Sequence, residues 1–236
     1  MSGLAWRLSI EESLPSTQTL VAERAEAGEP AGLAIMARLQ TAGRGRAGRG
    51  WSNRPGNLAI SILVRPEAEA RAVGQFALLA AVALHQVAVS HAAVRLRWPN
   101  DLMLGEAKVA GILTEASLRP GGAIAHVIFG IGVNLAHAPA VEGRATACLG
   151  PIPPERFAWA LLEALGQWLD RQAREGFVPI RAAWMAAGPA PGTPLSVRQG
   201  DSFIRGRYEG LTEAGALRLL TEEGPRSFHA GELGEV

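Results

Sequence analysis

The chain has 236 residues, of which 48% are hydrophobic and 19% charged, a balance typical of a globular protein with an apolar core. Its formal net charge of +1 excludes a global electrostatic attraction to nucleic acid or membrane, so any anion site must be local. The single cysteine, Cys148, excludes an internal disulfide and a cysteine-based zinc site. Because the N-terminus also shows no signal-peptide pattern, we expect a cytoplasmic protein.

Hydrophobic patterning predicts the elements of the first part of the chain. A strand is expected over 4–10, a helix over 17–27 between an N-cap at Ser16 and a stop at Gly28, a strand over 33–39, a glycine-rich loop over 40–56, a strand over 57–64 and a helix over 71–91. Further strands are expected over 94–98, 102–104, 108–117 and 123–135, with a hairpin turn at Gly105-Glu106. Polar residues interrupt the apolar stretch 76–94, which indicates a buried helix rather than a membrane span.

The second part of the chain begins with two helices, over 155–172 and 178–187, followed by the linker 188–192. Short strand patterns then alternate with turns at 208–212 and 212–215, which predicts a small β-barrel module. Adjoining hairpins and few βαβ units predict an α+β fold with a mixed, mainly antiparallel sheet packed with helices. We expect two domains, residues 1–187 and 188–236.

The densest local signal is the arginine-glycine loop, Gly43-Arg-Gly-Arg-Ala-Gly-Arg-Gly-Trp51. It matches G-x-G-x-x-G formally, but the next predicted element is a strand, whereas the dinucleotide fingerprint requires a helix. Glycines allow close backbone approach, and guanidinium groups bind carboxylate or phosphate through two hydrogen bonds. The loop contains no acid, so its arginines repel one another, and we expect the loop to be mobile until an anion arrives. A phosphate site in an enzyme, an RGG-like nucleic-acid segment and an arginine-rich surface loop are all open interpretations.

Lys108 is the only lysine in the chain, beside 22 arginines. An ammonium is a compact point charge on a flexible stem, whereas a guanidinium is a rigid planar fork, so this exception points to a site that needs the smaller group. Polar and glycine-containing segments surround it in sequence: Ser16-Thr-Gln18, Arg97-Trp-Pro-Asn-Asp101, Lys108-Val-Ala-Gly-Ile-Leu113 and Gly130-Ile-Gly-Val-Asn134.

These segments and the arginine-glycine loop, in this order, resemble the motifs of biotin protein ligases. The resemblance covers nearly the whole chain and implies a catalytic domain similar to class II aminoacyl-tRNA synthetases, followed by an SH3-like β-barrel. It implies that biotin and ATP form biotinyl-5′-AMP, with Mg²⁺ on the phosphates. The biotinyl group is then passed to a lysine of a biotin carboxyl carrier protein domain, as in acetyl-CoA carboxylase.

The resemblance also assigns residues. Its implied biotin site consists of Ser16, Thr17, Gln18, Gln40, Arg44, Gly45, Arg46, Lys108 and Gly111. Its implied ATP and adenylate site consists of Arg46, Arg49, Trp51, Asn100, Asp101 and Asn134. Lys108, Arg44 and Arg46 are the expected catalytic residues, Asp101 is a candidate proton acceptor for the transfer step, and no protein ligand to a metal is expected.

Three positions depart from the family pattern: Gln18 stands for the usual Asn, Thr41 for a second Gln, and Arg97 for a lysine. The chain starts directly at the catalytic domain, so we expect the monofunctional type, with no DNA binding and no membrane partner. A monomer and a homodimer are both open. Two other functions are also open: a lipoate or octanoate ligase of the same fold, and an anion- or RNA-binding protein that uses the loop.

Overall fold

The structure is a computed structural model that describes residues 4–200 and 202–234. In that part of the chain the helices are α1 (Thr17–Glu26), α2 (Val73–Ala88), α3 (Pro154–Glu175) and α4 (Val178–Ala187). The strands are β1 (Arg7–Leu14), β2 (Leu33–Gln40), β3 (Leu58–Val64), β4 (Val94–Arg97), β5 (Asp101–Leu104), β6 (Ala107–Leu118), β7 (Ile124–Val133), β8 (Pro194–Gln199), β9 (Ser202–Leu211), β10 (Leu217–Thr221), β11 (Gly224–Phe228) and β12 (Glu232–Gly234).

The larger sheet has the strand order β1-β2-β3-β7-β6-β5-β4. Its only parallel pair is β1 with β2, joined by the crossover helix α1, and every other pair in it is antiparallel. The predicted α+β class with a mixed, mainly antiparallel sheet is therefore confirmed. The first strand was predicted over 4–10, but β1 runs over Arg7–Leu14, because its pairing with β2 extends from Arg7 opposite Leu33 to Leu14 opposite Gln40.

The two faces of this sheet carry different layers. Residues of β7 alternate between them, because successive side chains of a strand point to opposite sides. Phe129 and Ile131 lie in the main core, which also contains buried residues of α2 and α3. Ile128 lies in a smaller cluster with Val21 and Ala25 of α1. The glycines Gly130 and Gly132 share the face of Ile128, so the α1 side of the sheet is left open next to them.

The strands of the smaller sheet are ordered β11-β10-β9-β8-β12, and all its pairs are antiparallel. The segment 208–212 was predicted as a turn, which is wrong, because Tyr208–Leu211 belongs to β9. A bulge at Glu209 instead shifts the pairing of β9 with β10, and Gly210 there has φ +118°. The turn predicted over 212–215 is confirmed, with φ +88° at Gly215. Buried residues of this sheet, such as Val197 and Leu217, belong to the main core.

Within the described residues one helical stretch, Ala70–Ala88, is long and apolar enough to cross a membrane by length and composition alone. Leu79, Ala80, Ala83 and Leu84 of this stretch are fully buried in the main core, which fits the predicted core helix. The helix ends at Ala88 rather than at 91 as predicted. The outer ends of the two predicted domains, residues 1–3 and 235–236, lie outside the described residues.

Candidate active site

The open face of the larger sheet forms the floor of a cleft of about 1270 Å³. A row of cross-strand neighbours runs across it: Arg97 is opposite Asp101, Asp101 opposite Gly111, and Gly111 opposite Gly132. Directly paired residues share a face of the sheet. This row therefore places a cation, a carboxylate and two glycines, which have no side chain, next to one another. These residues line the cleft together with the start of α1, the arginine-glycine loop and β12.

Trp51 lies on the two glycines of this floor. A methyl group built on Gly132 would overlap the indole of Trp51, and one built on Gly111 would lie 3.3 Å from its Cζ3 atom. In the neighbouring row, a methyl group on Gly130 would lie only 2.5 Å from Oε1 of Gln18. The absence of a side chain at Gly130 and Gly132 therefore lets Gln18 and Trp51 rest directly on the sheet.

A row of buried, uncharged polar groups forms the inner end of the cleft. Ser16 caps α1, its side chain accepting from the N–H of Thr19 at 3.5 Å. Thr17 donates through its backbone N–H and its hydroxyl to Oε1 of Gln40, at 2.8 and 3.1 Å. Ser61 of β3 is hydrogen-bonded to the Thr17 hydroxyl at 2.8 Å and donates to Oε1 of Gln18 at 3.0 Å.

Glu115 of β6 joins this polar row to the arginine-glycine loop. One of its oxygens accepts from Nε2 of Gln18 at 2.8 Å, and the other accepts from Nη2 of Arg44 at 2.7 Å. The first arginine of the loop is thus fixed by a carboxylate that also orients a residue of α1. Sequence reasoning missed Glu115 and Ser61, although Ser61 is the only polar residue of β3.

The other arginines of the loop also contact distant elements. Arg46 donates to Oδ1 of Asn100 at 3.0 Å, and Arg49 forms an ion pair with Glu232 of β12. The predicted repulsion among the arginines is offset in the structure by acceptors from elements far along the chain. That the loop is mobile until an anion binds stays a prediction. Asn100 is itself held by β6, since its Nδ2 donates to the Ile112 carbonyl.

Lys108 reaches the cleft because of a β-bulge. The pairing of β5 with β6 skips Val109, so that Lys108 and Gly111 lie on the same face although they are three residues apart. Its ammonium forms an ion pair with Asp101, Nζ to Oδ1 at 2.5 Å, and lies 5.8 Å from the centre of the Trp51 ring. The side chains of Lys108 and Asp101 are 14% and 19% exposed, so this pair is largely withdrawn from water.

The surroundings of Lys108 weaken its hold on a proton. Burial lowers the pKa of Lys108 from its ordinary value of 10.5, and the positive charges of Arg144 and Arg49 add to this effect. The carboxylate of Asp101 acts in the opposite direction, through its charge and its hydrogen bond. Arg144 and Glu232 were not identified from the sequence, and no local motif marks either residue.

Asn134 and Arg97 have structural contacts as well as positions in the cleft. Asn134 follows β7 and donates from Nδ2 to the carbonyl of Ala147 at 3.1 Å. Its Oδ1 is buried and, within the described part of the chain, has no hydrogen-bond partner. Arg97 donates to the backbone carbonyl of Leu233 at 3.0 Å, so it connects the edge of the larger sheet to β12.

The structure brings all of the sequence-predicted site residues to one cleft. Those that line it are Ser16, Thr17, Gln18, Gln40, Arg44, Gly45, Arg46, Arg49, Trp51, Asn100, Asp101, Lys108, Gly111 and Asn134. At one end the groups are neutral donors and acceptors, and towards Lys108 they are mostly cationic. Chemically, this arrangement can hold a polar ring at one end and an anion at the other.

Comparisons with known proteins agree with this arrangement. Residues 10–134 match the model of the Biotin/lipoate A/B protein ligase family, and residues 194–233 match that of the Biotin protein ligase C terminal domain. A biotin–(acetyl-CoA-carboxylase) ligase of Paracoccus denitrificans is 39% identical over 84% of this chain and 88% of its own length. The Bifunctional ligase/repressor BirA of Bacillus subtilis is 30% identical over 96% of this chain and 73% of its own length.

A solved structure is similar over nearly the whole length. The biotin protein ligase from Aquifex aeolicus in complex with biotin and ATP superimposes with a TM-score of 0.82, at 26% identity and with 97% of each chain covered. The fold and the cleft, together with these comparisons, define the class of protein: a ligase that attaches a cofactor to other proteins, built on a mixed sheet. Within that class, the chain belongs to the Biotin/lipoate A/B protein ligase family.

Proposed function

We propose that this chain is an ATP-dependent biotin protein ligase. It activates biotin to biotinyl-5′-AMP and transfers the biotinyl group to a lysine of a biotin carboxyl carrier protein domain. The observation that carries the proposal is that one cleft contains both a row of neutral hydrogen-bonding groups and a cluster of cations around Lys108. The Paracoccus relative, named as a ligase for acetyl-CoA carboxylase, and the Aquifex complex with biotin and ATP support it.

The neutral end of the cleft fits the ureido ring of biotin. That ring has two N–H donors and one carbonyl acceptor, and Thr17, Gln18 and Gln40 supply donors and acceptors from buried or half-buried positions. Trp51 on its glycine floor offers apolar surface for the rest of the molecule. With the ring at this end, the carboxylate of biotin points towards Lys108.

The cationic end fits the phosphates of ATP. Attack of the biotin carboxylate on the α-phosphorus brings an anion to a polyanion, and Lys108, Arg46 and Arg49 would offset that repulsion as pyrophosphate leaves. Asn134 also lines the cleft, and we assign it to the nucleotide. Closure of the loop around the product would also keep water from the mixed anhydride.

We propose that Mg²⁺ enters the cleft bound to ATP. In residues 4–200 and 202–234, no three His, Cys, Asp or Glu side chains are grouped to hold a metal ion. Of the acids that line the cleft, Asp101 and Glu232 are paired with Lys108 and Arg49. Mg²⁺ normally keeps several waters and binds through substrate phosphates. We therefore propose that the cationic side chains of the cleft bind the phosphates of ATP, which carry Mg²⁺.

The transfer step needs a neutral amine on the carrier domain, because an ammonium has no lone pair to attack the acyl carbon. Asp101 lies in the cleft as an acceptor for the proton that this amine releases. We propose that residues 1–187 carry both chemical steps and that residues 188–236 close the cleft through the contacts of β12 with Arg49 and Arg97.

The decisive experiment is biotin-dependent exchange of pyrophosphate into ATP, followed by labelling of an apo carrier domain. We expect biotin to stimulate exchange, and we expect octanoate and lipoate not to do so. If octanoate or lipoate stimulates exchange while biotin does not, the proposed substrate is wrong and the alternative ligase activity is correct. Size-exclusion chromatography with light scattering would decide between the monomer and the homodimer.

A further inference from the structure

We propose that Lys108 is a latent acceptor for the enzyme's own acyl adenylate, and that Asp101 keeps it unreactive by holding it as an ammonium. The inference rests on the proposed function, because it needs an acyl adenylate in the cleft. The inference assigns a modification site and gives Asp101 a positioning role, which is separate from its proposed role as acceptor of the proton released by the carrier's amine.

The first observation is that the cleft has one side-chain amine. Lys108 is the only lysine of the chain, and its Nζ lies beside Gly111 and the ring of Trp51 on the cleft floor. An activated carboxyl group that reacts with amines would therefore be formed next to a single internal amine. The other cations of the cleft are guanidinium groups, which are not deprotonated in proteins and so are not nucleophiles.

The second observation is the charge balance around that amine. Burial favours loss of the proton from Lys108. The positive charges of Arg144, in the loop segment after β7, and of Arg49, in the arginine-glycine loop, act in the same direction. Asp101, from β5, is the group that favours keeping the proton. The ion pair at 2.5 Å is thus the interaction that opposes three effects which would leave a neutral amine beside the product.

The reaction that Asp101 prevents is an ordinary acyl transfer. A neutral Nζ attacks the acyl carbon of biotinyl-5′-AMP, an amide C–N bond forms, and the bond from that carbon to the phosphate oxygen breaks. AMP leaves with the electron pair, and the attacking nitrogen releases its proton to water. An ammonium cannot start this sequence, because its lone pair is already bonded to hydrogen. The product would be an enzyme blocked by biotin on Lys108.

The test uses preformed biotinyl-5′-AMP and four proteins: wild type, Asp101→Asn, Asp101→Glu and the double variant Asp101→Asn with Lys108→Arg. Peptide mass spectrometry measures biotin on residue 108 over time. Each unit by which the pKa of Nζ falls makes the neutral fraction about tenfold larger, so we expect Asp101→Asn to be labelled at least about tenfold faster than wild type. Asp101→Glu should stay near wild type, and the double variant should carry no label at 108.

An Asp101→Asn protein that binds the adenylate and stays unlabelled at Lys108 overturns the inference. Loss of a general base alone would slow transfer to the carrier without placing biotin on Lys108, so the label separates the two roles of Asp101. Biotin-dependent pyrophosphate exchange by wild type tests the proposed function independently. A wild type that exchanges pyrophosphate, combined with an unlabelled variant, leaves the function standing and removes only the latent acceptor.

A pH series on the wild type keeps the test decisive if Asp101→Asn fails to fold. With preformed adenylate, labelling of Lys108 should rise as the pH approaches the ordinary lysine value of 10.5, because more of the amine is then neutral. Arg144→Gln removes one cation that favours proton loss, so its labelling should be slower than that of wild type at the same pH. No labelling of Lys108 at any pH in the series would contradict the inference.

Discussion

Arg44 and Glu115 join the arginine-glycine loop to β6 through an ion pair of 2.7 Å, although 71 residues separate them in sequence. The other oxygen of Glu115 holds Gln18, so the loop and the proposed biotin pocket share one carboxylate. The position of the loop therefore depends on Glu115, which belongs to β6 and not to the loop or to α1. This arrangement leads to the first prediction.

Glu115→Gln should weaken use of biotin. The amide removes the charge that holds Arg44, and because that pair is partly exposed we expect a loss of about fivefold in kcat/KM for biotin. Pyrophosphate exchange at varied biotin concentration measures it. Glu175→Gln is the matched control, since Glu175 pairs with Arg171 in a similarly exposed ion pair on α3. Equal values for both variants would show that Glu115 does not position the loop.

Lys108→Arg should reduce adenylate formation strongly despite keeping the charge. A guanidinium is larger and planar, and Gly111 and Trp51 leave little room around Nζ. By analogy with removal of one group that stabilises a developing anion, we expect a loss of about a hundredfold in the rate of exchange. Arg97→Lys is the control, because a lysine there can still donate to the Leu233 carbonyl. Near-normal turnover by Lys108→Arg would show that position 108 needs only a cation.

Gly132→Ala should damage the cleft through Trp51. The added methyl group would overlap the indole, which must then leave the sheet floor. Overpacking of this kind costs about 1–3 kcal/mol, so adenylate affinity should fall by about fivefold to about 150-fold in titration calorimetry. The control is Gly74→Ala in the first turn of α2, where an added methyl group has no neighbour within 4 Å. If both variants bind alike, Trp51 does not form part of the binding surface.

The pH dependence of kcat/KM for ATP should show an alkaline limb below the ordinary lysine pKa. The pKa of Lys108 is lowered by burial, so in the free enzyme the ammonium is lost before pH 10.5 is reached. Activity that needs this cation is present below the lowered pKa and falls as the pH rises through it. In Lys108→Arg the remaining activity should lack this limb, since the guanidinium stays charged. A limb that persists in the variant would have to come from another group.

Tyr208→Phe should leave the protein as stable as the wild type, or stabilise it by up to about 1 kcal/mol. The hydroxyl of Tyr208 is buried and has no hydrogen-bond partner among the described residues. Urea unfolding at neutral pH measures the difference, and a loss of about 1 kcal/mol or more would show that the hydroxyl has a partner.

The same variant should also change stability at alkaline pH. Burial raises the pKa of Tyr208 to about 12, so the folded state favours the neutral phenol. This contribution is complete below the unfolded value of about 10 and is lost as the pH rises towards 12. Tyr208→Phe should therefore lose less stability than the wild type over that window. Parallel unfolding curves for the two proteins would contradict the assignment.

Much of the fold follows from the sequence because the informative signals are local. Ser16 and Gly28 mark the ends of α1, and Gly105-Glu106 marks a hairpin, as predicted. The predicted fold class, family and ligase activity are also confirmed by the comparisons. The individual site assignments stay predictions that the experiments above test.

What the sequence does not reveal depends on partners that are remote in the chain. Glu115 and Glu232 can be identified as partners of Arg44 and Arg49 only from the folded structure, because they lie on β6 and β12, far from the loop in sequence. The bulge at Val109 is another example, because without it simple alternation would place Lys108 and Gly111 on opposite faces. Arg44 and Arg49 are each paired with a carboxylate. This pairing argues against the RNA-binding alternative, which requires guanidinium groups free to meet phosphates along the surface.

The alternation of β7 ties catalysis to correct folding. One face of this strand supplies Phe129 and Ile131 to the core, and the other supplies Gly130 and Gly132 to the cleft floor. A slip of one residue in its pairing would exchange the two sets, so that bulky side chains would displace Gln18 and Trp51 and glycine would leave a void in the core. A molecule folded in the wrong register would thus be inactive and unstable at once. Selection for activity at this strand is therefore also selection for a single native state.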